Sequence, residues 1–203
     1  LNTRTATGIS GGFGGIETLI GSSASDELVG ENSNSNFNFT GSNSGTVSTY
    51  SFTSFEKVTG GSGTDTFSFH MGASISGALN GGAGTDWIDF RTYGAGVTVN
   101  LLAGTSTAIS GMISSIENIY GSVSSDTLIG DNQSNVINAV GGTDTIQGNN
   151  GNDIFIFPAG SFFSGILDGG AGTDSMDFSP FTTATNVILN GLAAIDGFNG
   201  TAN

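Results

Sequence analysis

From Gly121 onward the sequence divides into nines, GSVSSDTLI, GDNQSNVIN, AVGGTDTIQ and GNNGNDIFI, and no other feature constrains the fold as tightly. The sixth letter is Asp126, Asn135, Asp144 and Asp153 in turn; the eighth is Leu128, Ile137, Ile146 and Phe155. GGSGTDTFS at 60–68 and GGAGTDWID at 81–89 obey the same rule, with Phe67 and Ile88 in the eighth place. Each nine reads as a six-residue polar turn followed by a three-residue strand that offers one apolar side chain to a core. Strands this short, set between glycine turns, cannot pair with their sequence neighbours as hairpins in a workable register. They can stack, each on the strand one circuit earlier, in parallel sheets that bury the eighth position. The expected fold is all-β, a parallel β-roll or β-solenoid built from coils of ~18–21 residues with Gly/Asp-rich turns. Two nines make one coil, which sets Asp126 over Asp144 on one edge and Asn135 over Asp153 on the other. Asp65 and Asp86, like Asp153 and Asp174, are 21 residues apart and need a slightly longer coil.

A longer period contains the short one. GISGGFGGIETLIGSSASDELVGEN (8–32) aligns without gaps on AISGMISSIENIYGSVSSDTLIGDN (108–132). DTFSFHMGASISGALNGGAGTDWIDF (65–90) aligns on DIFIFPAGSFFSGILDGGAGTDSMDF (153–178). The offset falls from 100 to 88, so the first copy carries twelve extra residues between Asn36 and Val58. A third copy begins at NVILNGLAA (186–194), which echoes GVTVNLLAG (96–104). Residues 1–203 therefore read as one continuous solenoid fragment, about two long repeats cut at both ends, with 37–55 an insertion relative to the second repeat. Alternation within NFNFTGSNSGTVSTYSFTSF suggests extra strand, either a wider coil or a flap outside it. The chain opens inside a repeat, without an initiating Met or a signal peptide, as an excerpt of something longer would.

Charge narrows the partners. Against 17 acidic residues stand 3 basic ones, for a formal charge of −14. Nucleic acid and anionic membrane surfaces require basic patches, so neither is an expected partner, whereas cations are. No run of ~18 apolar residues is present to insert in a membrane. The absence of Cys removes disulfides and thiolate metal sites. The 35 glycines follow no Gly-X-Y period, which excludes collagen, and 15 Phe leave room for a core.

Stacked aspartates raise a cost that can be estimated. At a coil spacing of ~4.8 Å, each pair repels by about 0.9 kcal/mol in water and about 3.5 kcal/mol at an effective dielectric near 20. Several pairs rival the ~5–15 kcal/mol stability of a whole domain. A divalent cation between the turns reverses the sign. Calcium suits best, because the donors are carboxylate and carbonyl oxygens and His70 is the sole imidazole. Glycines let turn carbonyls point inward at positive φ. The candidate metal residues are Gly60, Gly61, Gly63 and Asp65; Gly81, Gly82, Gly84 and Asp86; Asp126 and Asn135; Gly142 and Asp144; Gly148, Asn149, Gly151 and Asp153; and Gly169, Gly170, Gly172 and Asp174. Thr85 and Thr173 are placed to hydrogen-bond along their turns. Gly-Asx turns also hold metal-free β-helices together through Asn and Asp ladders or local turn bonds. GSSASD (Asp26), GSVSSD (Asp126) and GDNQSN (Asn135) lack the middle glycine, and for them both readings stay open.

GGSGTDTFS, GGAGTDWID and GNNGNDIFI resemble the glycine- and aspartate-rich nonapeptides, GGxGxDxUx with U a large apolar residue, of RTX proteins. The segment from Gly96 to Asn132 is similar to spacers between nonapeptide blocks in very large members of that group. The resemblance implies a bacterial, extracellular or cell-surface protein exported by type I secretion. Low cytosolic calcium would keep it unfolded, and external calcium would fold it. It implies calcium ions as partners, with other copies of the chain or adjacent repeats of a longer one. The expected function is a structural, calcium-stabilised module of an adhesin, a matrix component or a filament. A carbohydrate- or ice-binding solenoid and the C-terminal repeat tail of a secreted enzyme are the alternatives.

The remaining candidates carry less chemistry. Glu17, Glu56 and Glu117 share the context [IF]-E-x-[LVI]-x-G and read either as outer metal ligands or as solvent-facing strand positions. Asp89 and Asp177 follow the buried residue and should point outward, as should Trp87, which could stack on a sugar. Asp168 precedes its turn and could assist a metal. A nucleophilic triad needs a His, and His70 aligns with Pro158 in the sister repeat, so no enzyme is expected.

Overall fold

The computed structural model describes residues 14–159 and 163–183. Every regular element among them is a β-strand. Among the described residues no helix is long and apolar enough to cross a membrane, which says nothing of β-barrels. In chain order the strands are β1 (Thr18–Ile20), β2 (Glu27–Val29), β3 (Asn36–Gly41), β4 (Ser44–Val47), β5 (Tyr50–Thr53), β6 (Lys57–Thr59), β7 (Thr66–Phe69), β8 (Leu79–Asn80), β9 (Trp87–Asp89) and β10 (Thr98–Asn100). They continue with β11 (Thr105–Ser106), β12 (Ile113–Ser114), β13 (Asn118–Tyr120), β14 (Thr127–Ile129), β15 (Val136–Asn138), β16 (Gly142–Gln147), β17 (Ile154–Ile156), β18 (Phe163–Asp168) and β19 (Ser175–Asp177).

One ten-stranded sheet runs β1-β5-β4-β3-β7-β9-β13-β15-β17-β19. Two smaller sheets, β12-β8-β6-β2 and β11-β10-β14-β16-β18, take the strands in between. From β13 onward the chain alternates strictly between the ten-stranded and the five-stranded sheet, one strand per nonapeptide. The pairing there is parallel, with Ile119 opposite Ile137, Ile137 opposite Phe155, and Leu128 opposite Ile146. This parallel, all-β arrangement is consistent with a β-roll. Short strands force it, because a three-residue ladder gains stability only when the next coil supplies another ladder and another buried side chain.

The eighth position does what its spacing predicts. Phe67, Ile88, Leu128, Ile137, Ile146 and Phe155 are all 0% exposed. Aromatic rings also stack from coil to coil, Phe39 on Phe69 at 4.4 Å and Phe69 on Phe90 at 5.3 Å. Phe69 therefore has a ring on each side. Truncating it to Ala is expected to cost about 3–5 kcal/mol, since two stacked neighbours cannot both collapse into the space. Thermal melting at fixed calcium measures this; a loss under 1 kcal/mol would mean the aromatic column contributes little.

Three features depart from a uniform coil. Stacked partners lie 18 or 21 residues apart at some junctions but 29, 30 or 31 at others, so the coils are not confined to 18–21 residues. One long interval holds β10 and β11, an antiparallel hairpin whose Val99 and Asn100 pair with Ser106 and Thr105. The other holds the segment from Asn36 to Thr53, where β3, β4 and β5 form an antiparallel meander inside the ten-stranded sheet. It is not a flap. Phe37, Phe39, Val47 and Phe52 point into the common core and are at most 7% exposed.

Candidate metal centre

Each turn ends on its sixth residue, and successive sixth residues are tied together. Ser35 N–H donates to Asp65 Oδ1 at 2.7 Å and Asp65 N–H to Asp86 Oδ1 at 2.8 Å. Asn135 N–H donates to Asp153 Oδ1 at 2.8 Å and Asp153 N–H to Asp174 Oδ1 at 2.9 Å. On the opposite edge Val97 and Asp126 N–H groups donate to Asp126 and Asp144 Oδ1 at 2.8 and 2.9 Å. One carboxylate oxygen thus closes the gap to the preceding coil, in the stacking order the sequence spacing dictates.

The second oxygen divides the turns into classes. Asp65, Asp86, Asp144, Asp153 and Asp174 keep Oδ2 buried with no hydrogen-bond partner. In their turns the second and fourth residues both adopt positive φ: Gly61 and Gly63, Gly82 and Gly84, Val140 and Gly142, Asn149 and Gly151, Gly170 and Gly172. Position-two N–H groups in these turns do not reach the carboxylate. Those of Gly82 and Gly170 go to Asn80 Oδ1 and Asp168 Oδ1, both at 3.1 Å. Asp168 therefore shapes the turn through its backbone. In GSSASD, GSVSSD and GDNQSN these positions have ordinary φ, and the geometry inverts. Ser22 and Ser122 N–H donate to Asp26 and Asp126 Oδ2, and Asp131 N–H donates to Asn135 Oδ1. Ser122 Oγ–H adds a bond to Asp126 Oδ1 at 2.7 Å. Those turns close on themselves, so Asp126 and Asn135 lack the unmet acceptor that sets the other five apart.

Glycine is required where coils touch. A Cβ on Gly172 would stand 1.6 Å from Gly151 O, and one on Gly81 would stand 1.7 Å from Ser115 O and 2.5 Å from Asp86 Oδ2. In the turns of Asp65, Asp86, Asp153 and Asp174 the first glycine is thus the wall against which the orphaned oxygen rests; the turn of Asp144 opens with Ala139 instead. Backbones of adjacent turns are zipped as well, with Gly63 N–H donating to Ala83 O and Ala83 N–H to Gly61 O. Thr173 N–H reaches across to Asn152 Oδ1 at 2.8 Å, between coils rather than along one turn.

Glu56 and Glu117 turn out to be sixth residues. Glu56 Oε2 accepts Asp26 N–H at 3.0 Å and Glu117 Oε2 accepts Asp86 N–H at 2.7 Å, the task Asp Oδ1 performs elsewhere. They end turns, just before β6 and β13, and are not strand positions. Positive φ in those turns falls on Ser54 and Ser115, the fourth place. Counting back two from Val58 and Ile119 identifies both; the missing first glycine hides them.

Burial loads these carboxyl groups. Removal from water pushes Asp86, Asp144 and Asp153 up to about 6, and raises Asp65 and Asp126 as well. Neighbouring negative charge adds to the effect: Asp65 and Glu117 on Asp86, Asp126 on Asp144, Asp174 and Asp131 on Asp153. Unpartnered oxygens inside a glycine wall, with oxygen the only donor type, fit a hard divalent cation. Among the described residues no three His, Cys, Asp or Glu side chains converge, so such an ion would take backbone carbonyls beside the carboxylates. A cation so held would supply the positive charge that the stack of carboxylates lacks.

The family model of the RTX calcium-binding nonapeptide repeat matches this sequence in four copies, at residues 11–34 and 120–155. Those two segments carry RTX calcium-binding nonapeptide repeats. Two RTX turns with orphaned oxygens, ending at Asp144 and Asp153, lie in the matched segments. Asp65, Asp86 and Asp174 lie outside them, in turns with the same alternation of positive φ and the same unmet Oδ2. No curated protein matches the chain.

Among the described residues, outward side chains cluster beside the turn that ends at Asp86. Trp87 stacks on Tyr120 at 4.4 Å, and Arg91 lies over the Tyr120 ring at 4.3 Å. Asp89 was expected to face solvent; it is 5% exposed because Arg91 folds back over it with a 2.7 Å ion pair. Trp87 is accordingly part of a packed surface and not a lone sugar platform. His70 Nδ1 lies 3.2 Å from Thr92 Oγ1.

Proposed function

We propose that this chain is a calcium-stabilised β-solenoid module of a secreted or cell-surface protein, serving as a stiff spacer in an adhesin, a matrix component or a filament, without enzymatic activity of its own. The observation that supports the reading is the set of five buried Oδ2 atoms with no partner, each in a turn of doubled positive φ. Uncompensated buried carboxylate oxygens cost several kcal/mol in most settings, so repeating them coil after coil makes sense only if a cation joins the fold. The ligands are the carboxylates of Asp65, Asp86, Asp144, Asp153 and Asp174 with carbonyls of the glycine turns. Metal affinity then becomes folding free energy, and calcium outside a cell acts as the trigger for a chain that leaves it unfolded.

A pair of substitutions tests the ligand assignment. Asp144→Asn keeps an oxygen for Asp126 N–H but removes the charge behind the orphaned Oδ2. The calcium midpoint of folding should rise at least ~3-fold, about 0.7 kcal/mol at one site. Asp126→Asn sits in a self-closed turn and should lower stability by about 1 kcal/mol, raising the folding midpoint through linkage alone. It should leave unchanged the number of calcium ions that the folded chain binds at a fixed submillimolar level; Asp144→Asn should reduce that number. Equal numbers of bound calcium ions for the two variants, or no midpoint shift for Asp144→Asn, would remove the basis for separating the turns.

A further inference from the structure

The chain contains one junction with both halves in view. β9 lies against β13 with Trp87 opposite Asn118, Ile88 opposite Ile119 and Asp89 opposite Tyr120. Asp86 N–H donates to Glu117 Oε2 at 2.7 Å, Asn118 N–H to Asp86 O at 3.0 Å, and Phe90 N–H to Tyr120 O at 3.0 Å. Ile88, Phe90 and Ile119 are 0% exposed there.

The sequence writes each half a second time. GGAGTDSMDF, which contains β19, repeats the stretch around β9, and IETLIG, which contains β1, repeats IENIYG around β13. Among the described residues β19 and β1 are the two outer strands of the ten-stranded sheet. Their apolar side chains are less covered than those of their counterparts. Leu19, Met176 and Phe178 are only partly buried, and Ile20 is 75% exposed. Their outward backbone groups also match. Ser51 N–H donates to Glu17 O and Gly21 N–H to Thr53 O, so alternation turns Thr18 and Ile20 away from β5. On β19, Ser175 N–H and Asp177 O are engaged with Asp153 and Phe157, which leaves Met176 facing the other way.

We propose that β19 of one copy of this chain adds to β1 of a second copy in the register of the β9–β13 junction. Ser175 then faces Thr18, Met176 faces Leu19 and Asp177 faces Ile20. Asp174 N–H finds the Glu17 carboxylate, Thr18 N–H finds Asp174 O, and Phe178 N–H finds Ile20 O. The two surfaces differ, so the contact is head-to-tail and open-ended, and copies join into a continuous sheet. The inference rests on the stacked-coil reading above; it concerns the ends of the sheet, not the metal turns.

Sedimentation velocity on the folded chain in calcium, over a wide concentration range, tests it. Mass should grow with concentration without settling at a dimer. Leu19→Asp and Met176→Asp should each abolish growth alone, yet mixed together should give a one-to-one dimer, because each retains the end the other has lost. Thr18→Pro serves if Leu19→Asp fails to fold: it deletes one outward N–H, leaves the pairing to β5 intact, and should block assembly in the same way. A β signal by circular dichroism with a monomer at every concentration overturns the proposal, as does a closed dimer that ignores these variants. Loss of the β signal in calcium would instead count against the calcium-stabilised fold itself, so the two failures are told apart.

Discussion

Chelation of calcium is expected to abolish the cooperative β signal of this chain. Among the described residues five buried Oδ2 atoms have no partner, and like charges from neighbouring coils bear on their carboxylates. A ligand present at a hundred times its dissociation constant stabilises by about 2.7 kcal/mol per site. Two such sites already match the lower end of the ~5–15 kcal/mol that holds an ordinary domain together. The penalty released on removal is added to this loss, since the carboxylates are then buried without a counter-charge. Circular dichroism before and after addition of a chelator, followed by calcium repletion, reads the effect directly. Retention of the β signal and of the melting temperature after chelation would sink the metal reading. Loss should also spread along the chain, because each coil is stabilised chiefly by its neighbours. The region from Asp144 to Asp174, where orphaned turns follow one another, should be the first to go. The stretch around Phe37, Phe39 and Phe69 has the thickest aromatic core and should hold longest.

Much of this architecture is legible in the sequence. A nine-residue period with an apolar eighth place leaves one way to bury Leu128, Ile137, Ile146 and Phe155 together, and that way is stacking. The sixth place was equally legible, because a carboxylate one coil apart from its like needs a reason to be there. What sequence could not settle is local backbone geometry. Asp126 and Asp144 look alike as letters, but Ser122 at ordinary φ sends its N–H to Asp126, whereas Val140 at φ 63° follows the glycine-like path. A β-branched residue at positive φ has no sequence signal; the neighbouring coil imposes it. Glu117 escaped notice as a sixth residue because its turn starts with Met112, and only register reveals the equivalence. The meander of β3, β4 and β5 was visible as alternation, yet nothing local told whether its apolar face would meet the core. That depends on how wide a gap the neighbouring coils leave. The burial of Asp89 likewise depends on Arg91, which has no counterpart in the sister repeat.

The same carboxylates give the chain a pH response whose direction depends on calcium. In the metal-free fold Asp86, Asp144 and Asp153 stand near 6, above their unfolded value of 3.8, and desolvation is the main cause. A group with a raised folded-state value binds more protons folded than unfolded, so stability falls as pH rises between the two values. The favourable term is complete below about 4 and lost above about 7. The full linkage for a shift of this size is close to 3 kcal/mol per group, and screening by solvent leaves about 1 kcal/mol each. Between pH 7.5 and pH 5 a little under half of that develops, about 1.5 kcal/mol for the three groups together, so part of the β signal that chelator removes at pH 7.5 should return at pH 5. Calcium reverses the slope. The ion needs the deprotonated carboxylates, so acid competes with it and the loaded chain should be more stable at pH 7.5 than at pH 5. Melting curves in calcium and the circular dichroism amplitude in chelator, each at the two pH values, give four numbers and one decisive comparison. If both slopes have the same sign, the buried carboxylates are not the groups that calcium engages, and the five orphaned oxygens need another explanation.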